Sequence, residues 1–412
     1  MASVTASTRP RLVTAPFVIV TAATLAFFVF VGIAVSVMPR FIENELGGDG
    51  LAIGLNLAVF SIAAIAARPA IAFIGDRFGR RMLMIGGSLL AAAAVSCTAF
   101  VSSILVLLPL RAVSGVGEAA LFVGAATLIA DLSPADRRAE AASYFSLAVF
   151  GGLGLGPVVG EIVLGDDRYD AVFLVAALAC VLAALIALAA PNRVAGVAVA
   201  PQEEARRGFH RAAVLPGLVL ACGVGAFAAF NAFLPTHAED LGMPVSGPFV
   251  VYSALCLLIR LFGARLPERM GLGVAVSRAL LGLTIGLLLL SVLDQPAGVY
   301  LGTIVLSIGT ALLYPSLMAF AVNSASAVDR TRVLATFTMF FEVGTVAGGL
   351  LLGPLARFFG DQGAFAGGAV LAVVGLVVLR QLLLPAARAQ QAVPVSTPVP
   401  APDYAGGLAV GE

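Results

Sequence analysis

Apolar runs of about 20 residues recur along the whole chain, separated by short breaks rich in Pro, Gly and charge. A helix of that length crosses a hydrocarbon core about 30 Å thick, so the runs dictate a polytopic helical membrane protein. Twelve runs are placed near 16–38, 52–74, 82–101, 104–132, 139–165, 170–190, 212–234, 245–266, 272–293, 296–324, 333–357 and 364–384. At about 20 residues each they consume most of the 412, which leaves no room for a separate soluble catalytic domain. Only 11% of residues are charged, against about a quarter in soluble domains. A net charge of +1 supplies no basic field, so nucleic acid is excluded as a partner. Cys97, Cys180, Cys222 and Cys256 fall inside apolar runs without ligand spacing, which predicts buried small hydrophobes and no metal site. His210 and His237 are expected in loops.

Every one of the 24 basic residues is Arg, and their placement is lopsided. Seventeen fall in the N-tail, the alternate loops, the central linker and the C-tail; the opposite loops hold Arg40 and Arg168. That asymmetry predicts both termini on the cytoplasmic side. The opposite loops are acidic, with Glu43, Glu45, Asp49, Asp166, Asp167, Asp170, Glu239 and Asp240.

A displacement of 192 residues carries Arg68 onto Arg260, Arg77 onto Arg269 and Gly79 onto Gly271. It also carries Gly117 onto Gly309, Gly152 onto Gly344 and Gly156 onto Gly348. The chain is therefore read as two six-helix halves of like topology, parallel repeats about an axis along the membrane normal. The expected organisation is an N-tail over 1–15, a first half over 16–190, a cytoplasmic linker over 191–211, a second half over 212–384 and a disordered tail over 385–412.

After the second run comes AIAFIGDRFGRRM, residues 70–82. Gly79 permits a tight turn and the arginines suit a cytoplasmic interface. Asp76, Arg77, Gly79, Arg80 and Arg81 resemble the signature loop G-x-x-x-D-R-x-G-R-R of the major facilitator superfamily, with Ala72 standing at the first Gly. The resemblance implies a twelve-helix transporter of the bacterial inner membrane. It also implies a conformational latch in which Asp76 faces the N-terminus of helix 11 and Arg80 pairs with Asp131 at the end of helix 4.

The fourth run carries RAVSGVGEAA, where Arg111, Gly115 and Gly117 resemble a second family motif. A charge near mid-bilayer costs roughly 2.5–3.5 kcal/mol on insertion scales, so Arg111 and Glu118 each need a cavity or a partner. Seven residues separate them on one helical face, about 10 Å along the axis, and a direct bond is not expected. A guanidinium cannot release a proton at usable pH, whereas a carboxylate can. Glu118 is thus the candidate proton carrier, Arg111 the residue that biases it, and Glu342 on the eleventh run a further candidate. The competing reading is a structural interhelix salt bridge. Glu161, near the end of its run, is expected to face water.

In GGLGLGPVVGE, Gly152, Gly156, Pro157 and Gly160 resemble the family's antiporter motif G-x-x-x-G-P-x-x-G, although Glu161 and Ser143 depart from its wider pattern. Small residues at this spacing also serve ordinary helix packing. By family geometry Thr24, Asn231 and Tyr314 line a central cavity, with Asn56 a lesser candidate.

The resemblance reaches over essentially the whole chain and is nearest the bacterial drug- or arabinose-efflux-type permeases. It implies a monomeric, proton-coupled antiporter that exports a small organic molecule by alternating access, driven by the proton gradient without a cofactor. The alternatives are an uptake symporter or facilitator and, in another class, a non-transporting sensor. An enzyme is not expected, since H-E-x-x-H, G-x-S-x-G and P-loop patterns are missing from the sequence.

Overall fold

The computed structural model describes residues 12–134, 137–165, 167–192, 210–262, 269–323 and 330–391. The first half contains α1 (Ala15–Arg40), α2 (Gly50–Phe78), α3 (Arg80–Thr98), α4 (Ile104–Leu132), α5 (Arg138–Leu164) and α6 (Tyr169–Leu188). The second contains α7 (Arg211–Asp240), α8 (Ser246–Phe262), α9 (Leu272–Val292) and α10 (Pro296–Asn323). The long helix Arg330–Val378 breaks at Gly360, whose φ of 68° interrupts the helical path, into α11 (330–359) and α12 (361–378). Ten of the described stretches are long and apolar enough to span a bilayer; α8 is shorter, and the break makes two spans of the last one.

Local chemistry sets the helix starts. The Asp49 side chain accepts from the Ala52 amide at 3.1 Å and opens α2; Ser103 caps α4 in the same way. Pro16 occupies the first turn of α1, where a missing amide hydrogen costs nothing. Outer faces stay apolar. On α6, Leu174, Leu178, Leu182 and Leu185 point outward at helical spacing while Phe173, Ala176 and Cys180 are buried. Such a rim is at home in hydrocarbon and would be a liability in water.

The internal repeat is visible in the packing. A Cβ on Gly156 would come within 2.5 Å of Gly32 on α1, and one on Gly152 would meet the Leu25 carbonyl of that helix. In the second half Gly344 and Gly348 abut α7 at Ala221 and Gly225. Gly117 rests on the Gly87 carbonyl of α3, as Gly309 does on the Ala279 carbonyl of α9. Small residues thus let equivalent helix pairs touch backbone to backbone in both halves.

The loop between α2 and α3 marks an Arg-rich end of the bundle. Gly79 adopts φ 96° and its repeat mate Gly271 φ 83°, so both turns use the left-handed region that favours glycine. At the opposite, acidic end the halves join. Gly54 of α2 packs on Gly349 and Gly353 of α11, and Asp49 forms an ion pair with Arg357 at 3.2 Å. Asn44, in the π-helical turn Phe41–Glu45 that extends α1, donates to Glu239 of α7 at 3.1 Å.

Four expectations need correction. His237 lies inside α7, buried, with its ring edge-on to Phe365, because α7 runs on past Pro235 to Asp240. Glu161 does not face water; it is paired with Arg40 on α1, and both side chains are largely buried. Cys97 is exposed on α3, whereas Cys180 and Cys256 are buried, and all four cysteines are free thiols. Residues 385–391, assigned to a disordered tail, belong to the short helix α13 (Leu384–Gln391), whose Ala, Arg and Gln favour helix. The rest of that tail, most of the linker and the N-terminal eleven residues lie outside the described residues.

Candidate functional site

Between the halves lies a cavity of about 1270 Å³, bordered by α1, α2, α4 and α5 on one side and α7, α8, α10 and α11 on the other. It runs from Asp76, Arg80 and Asp131 at the Arg-rich end to Met38, Pro39 and Ile53 beneath the joined acidic end. Its walls are mainly apolar and aromatic, with few polar groups, the usual make-up of a small-molecule site.

Glu118 and Glu342, from opposite halves, both face this cavity, each about 9% exposed. They lie within electrostatic reach of one another, and Arg68 of α2 acts on both. Ser61, two turns before Arg68, hydrogen-bonds Glu342. The result is a pair of carboxylates, one from each half, with the Arg68 guanidinium within electrostatic reach of both.

Arg111, expected to bias Glu118, stands over Phe60, and other charges act on Glu118. Its guanidinium lies 4.7 Å from the centre of the Phe60 ring, and the charges acting on Glu118 are Glu342 and Arg68. Seven residues along α4 hold the two groups apart, and the nearer cation comes from α2. The repeat marks Arg68 in the sequence, but the face of α2 that it occupies is fixed only by the packing.

Asn231 and Tyr314 border the cavity, and so does Asn56, whose Oδ1 has no hydrogen-bond partner among the described residues. Thr24 does not border it. It is fully buried in the α1 packing face, and its hydroxyl donates to the Val20 carbonyl at 2.8 Å. That back-bond is the usual resort of a threonine inside a helix.

In the signature loop, Arg80 binds Asp76 one turn away at 3.0 Å, so its described ion pair is within the loop and not the expected one with Asp131. The spacing of four residues makes that pair local and geometrically easy. Asp131 borders the cavity mouth beside them. Arg77 lies over Phe78, and Arg81 reaches the Leu188 carbonyl at the end of α6. Asn192 ties the turn down: the Arg80 amide donates to its carbonyl, and its side chain donates to the Phe78 carbonyl. Gly152 and Gly156 form the α5 contact with α1 described above; Gly160 follows on the same face, against Ser36 and Val37, with Pro157 inside the continuous helix.

A two-half helical bundle with one central cavity, bordered by charged groups from both halves, defines a secondary transporter. The sequence profile of the Major Facilitator Superfamily matches residues 19–325 and again 249–403, and the chain belongs to that family. Among curated proteins it is 26% identical over 368 residues to an MFS-type transporter of Burkholderia pseudomallei (strain 1106a), covering 86% of this chain and 89% of that one. The fold also matches a POT family transporter in complex with a thioalcohol-conjugated peptide, with a TM-score of 0.73 at 14% identity over 90% of this chain and 96% of that one. A bacterial homolog of the human lysosomal transporter Spinster, inward-facing and unoccupied, superimposes with a TM-score of 0.68 at 16% identity, covering 89% and 94%. The chain is a transporter, not an enzyme.

Proposed function

We propose that the protein is a proton-coupled antiporter of the bacterial inner membrane that exports a small organic molecule by alternating access. The carrying observation is the pair of carboxylates Glu118 and Glu342, one from each half, facing the cavity with Arg68 within electrostatic reach of both. A carboxylate can take and release a proton where a guanidinium cannot, so this pair is the proton site. Export is supported by the glycine face of α5, where Gly152 and Gly156 seat the helix on α1. With the Arg-rich end in the cytoplasm, both termini are cytoplasmic and the cavity faces inward, ready to load solute from the cell. The working unit is the monomer, built from halves at 16–190 and 212–384 joined by the linker 191–211.

A second reading, uptake symport, is favoured by one observation. In the body of the cavity Arg68, Arg111 and Arg260 outnumber the two carboxylates. An anionic solute and a proton entering one low-dielectric space attract one another, which is the linkage of symport.

Everted vesicles separate the two. With an acid interior, a substrate that dissipates the gradient supports antiport. With the gradient reversed, acid outside, a substrate that accumulates while protons enter with it supports symport. A solute that equilibrates without moving any proton rejects coupling.

A further inference from the structure

The internal repeat sets two arginines in equivalent places and gives them unlike company. Arg68 of α2 and Arg260 of α8 are 192 residues apart, both border the cavity, and the Nε of each is buried without a hydrogen-bond partner among the described residues. Neighbouring pairs keep the same displacement: Phe60 with Tyr252, and Ser61 with Ser253. The two carboxylates beside Arg68 are then replaced around Arg260. Phe150 stands at the place equivalent to Glu342, and Thr310 at the place equivalent to Glu118. Contacts follow this exchange. The Arg260 guanidinium lies 3.6 Å from the centre of the Phe150 ring, and Thr310 meets Cys256 one turn below Arg260 at 3.6 Å. Among the described residues neither arginine has a carboxylate within ion-pair distance. The difference is in the charges that reach them: Glu118 and Glu342 act on Arg68, whereas the groups acting on Arg260 are Tyr252, Cys256 and Tyr314.

A guanidinium in such a place is costly without a counter-charge, and an aromatic face offsets only part of that cost. Arg111 repeats the situation nearer the acidic end, over Phe60 and without a described carboxylate partner. Next to Arg260 the wall is aromatic. Tyr314 lies 6.5 Å from Phe150 between ring centres, and Tyr252 stacks on Phe227 at 5.3 Å. These rings border the same cavity, with the Asn231 amide beside them.

We propose that the cavity selects an organic anion, its carboxylate or sulfonate held by Arg260 and its apolar, aromatic body laid against Phe150, Tyr314 and Tyr252. The solute supplies the charge that Glu118 and Glu342 supply to Arg68. The two sides of the cavity thus divide the work: protons at α2, α4 and α11, anion at α5, α8 and α10. A planar, charged fork matches a carboxylate or sulfonate in two parallel hydrogen bonds, and Arg260 borders the cavity where such a group would sit. The proposal rests on reading the cavity as the transport path and holds for export or uptake alike.

The test is binding to the full-length purified protein, by calorimetry, with four probes of one shape: naphthoate, naphthalenesulfonate, naphthylmethanol and naphthylmethylamine. The two anions are expected to bind at least about tenfold tighter than the alcohol and the amine. Arg260→Gln removes the anions' advantage and Arg260→Lys retains part of it. Phe150→Glu, which gives Arg260 the carboxylate its repeat mate has, abolishes anion binding in a protein whose own arginine is intact. Size-exclusion profiles and melting temperatures verify that each variant is folded. Equal or tighter binding of the alcohol or amine, failure of both anions to bind, or an unchanged anion affinity in folded Arg260→Gln overturns the proposal. The same preparations, reconstituted with a pH gradient, read the coupling separately. Anion binding through Arg260 without any proton response rejects proton coupling alone, and a proton response with amine selectivity rejects the anion site alone.

Discussion

Asp49, the cap of α2, and Arg357, in the last turn before the Gly360 break, form an ion pair of 3.2 Å that ties the two halves together at the acidic end. Beneath it Gly50 and Gly54 lie directly against Ala356, Gly349 and Gly353. The cavity approaches the Arg-rich end, so the tie and the opening stand at opposite ends of one bundle. An alternating-access cycle has to break this contact, and its polar part is the easier to tune.

Both partners of that pair are about half exposed, at 45% for Asp49 and 51% for Arg357, so it contributes about 0.2–1 kcal/mol. Arg357→Gln should move the balance between the two access states by up to about fivefold toward opening at the acidic end, without altering the fold. Spin labels on the ends of α2 and α11 read this as a larger fraction of the long distance. An unchanged distance distribution would show that the glycine contact alone holds the end shut.

Glu118 and Glu342 both lie within electrostatic reach of Arg68 yet belong to different halves, so their substitutions should not be equivalent. Glu118→Gln is expected to abolish pH-gradient-driven transport while leaving solute binding within about twofold. Glu342→Gln, which keeps a hydrogen-bonding partner for Ser61, should retain coupling with a displaced pH profile. Transport in proteoliposomes at graded pH separates these outcomes, and full coupling in Glu118→Gln would transfer the proton to Glu342.

The twelve spans and the repeat were legible because hydrocarbon imposes length and apolarity on every helix, and glycines at backbone contacts tolerate no substitute. Side-chain company was not legible. Arg68 was in plain view as one half of the Arg68–Arg260 repeat pair, but which carboxylates it meets depends on how α2 is rotated against α4 and α11. Thr24 shows the same blindness from the other side, since its placement in the cavity presumed a face of α1 that in fact packs inward. A seventh run ending at 234 leaves His237 in a loop, whereas α7 continues past Pro235 to Asp240. A first run ending at 38 leaves Arg40 in a loop, whereas α1 carries it to the buried pair with Glu161.

Arg40 and Glu161 form a largely buried pair between α1 and α5, with Arg40 also 3.9 Å from Glu239. Removing one member strands the other. Arg40→Ala should therefore destabilise the protein by about 3 kcal/mol, and the double change Arg40→Ala with Glu161→Gln by clearly less. Thermal unfolding of the purified variants completes the cycle; additive losses would mean the two residues do not act on each other.

The α5 seam gives a direct steric contrast. A Cβ at Gly156 would sit 2.5 Å from Gly32 backbone atoms of α1, where neither helix has a flexible side chain to yield. Gly156→Ala should cost about 1–3 kcal/mol by overpacking and should slow transport, because α1 and α5 must separate. Gly86 on α3 is the control: it is exposed, has nothing within 4 Å of its would-be Cβ and carries no positive φ. Gly86→Ala should be neutral or stabilising by up to about 1 kcal/mol, since alanine is the better helix former. Melting temperatures of the two variants in one detergent decide the matter. Equal shifts would mean that α1 and α5 have slack between them, and that the glycine spacing on α5 serves something other than close packing.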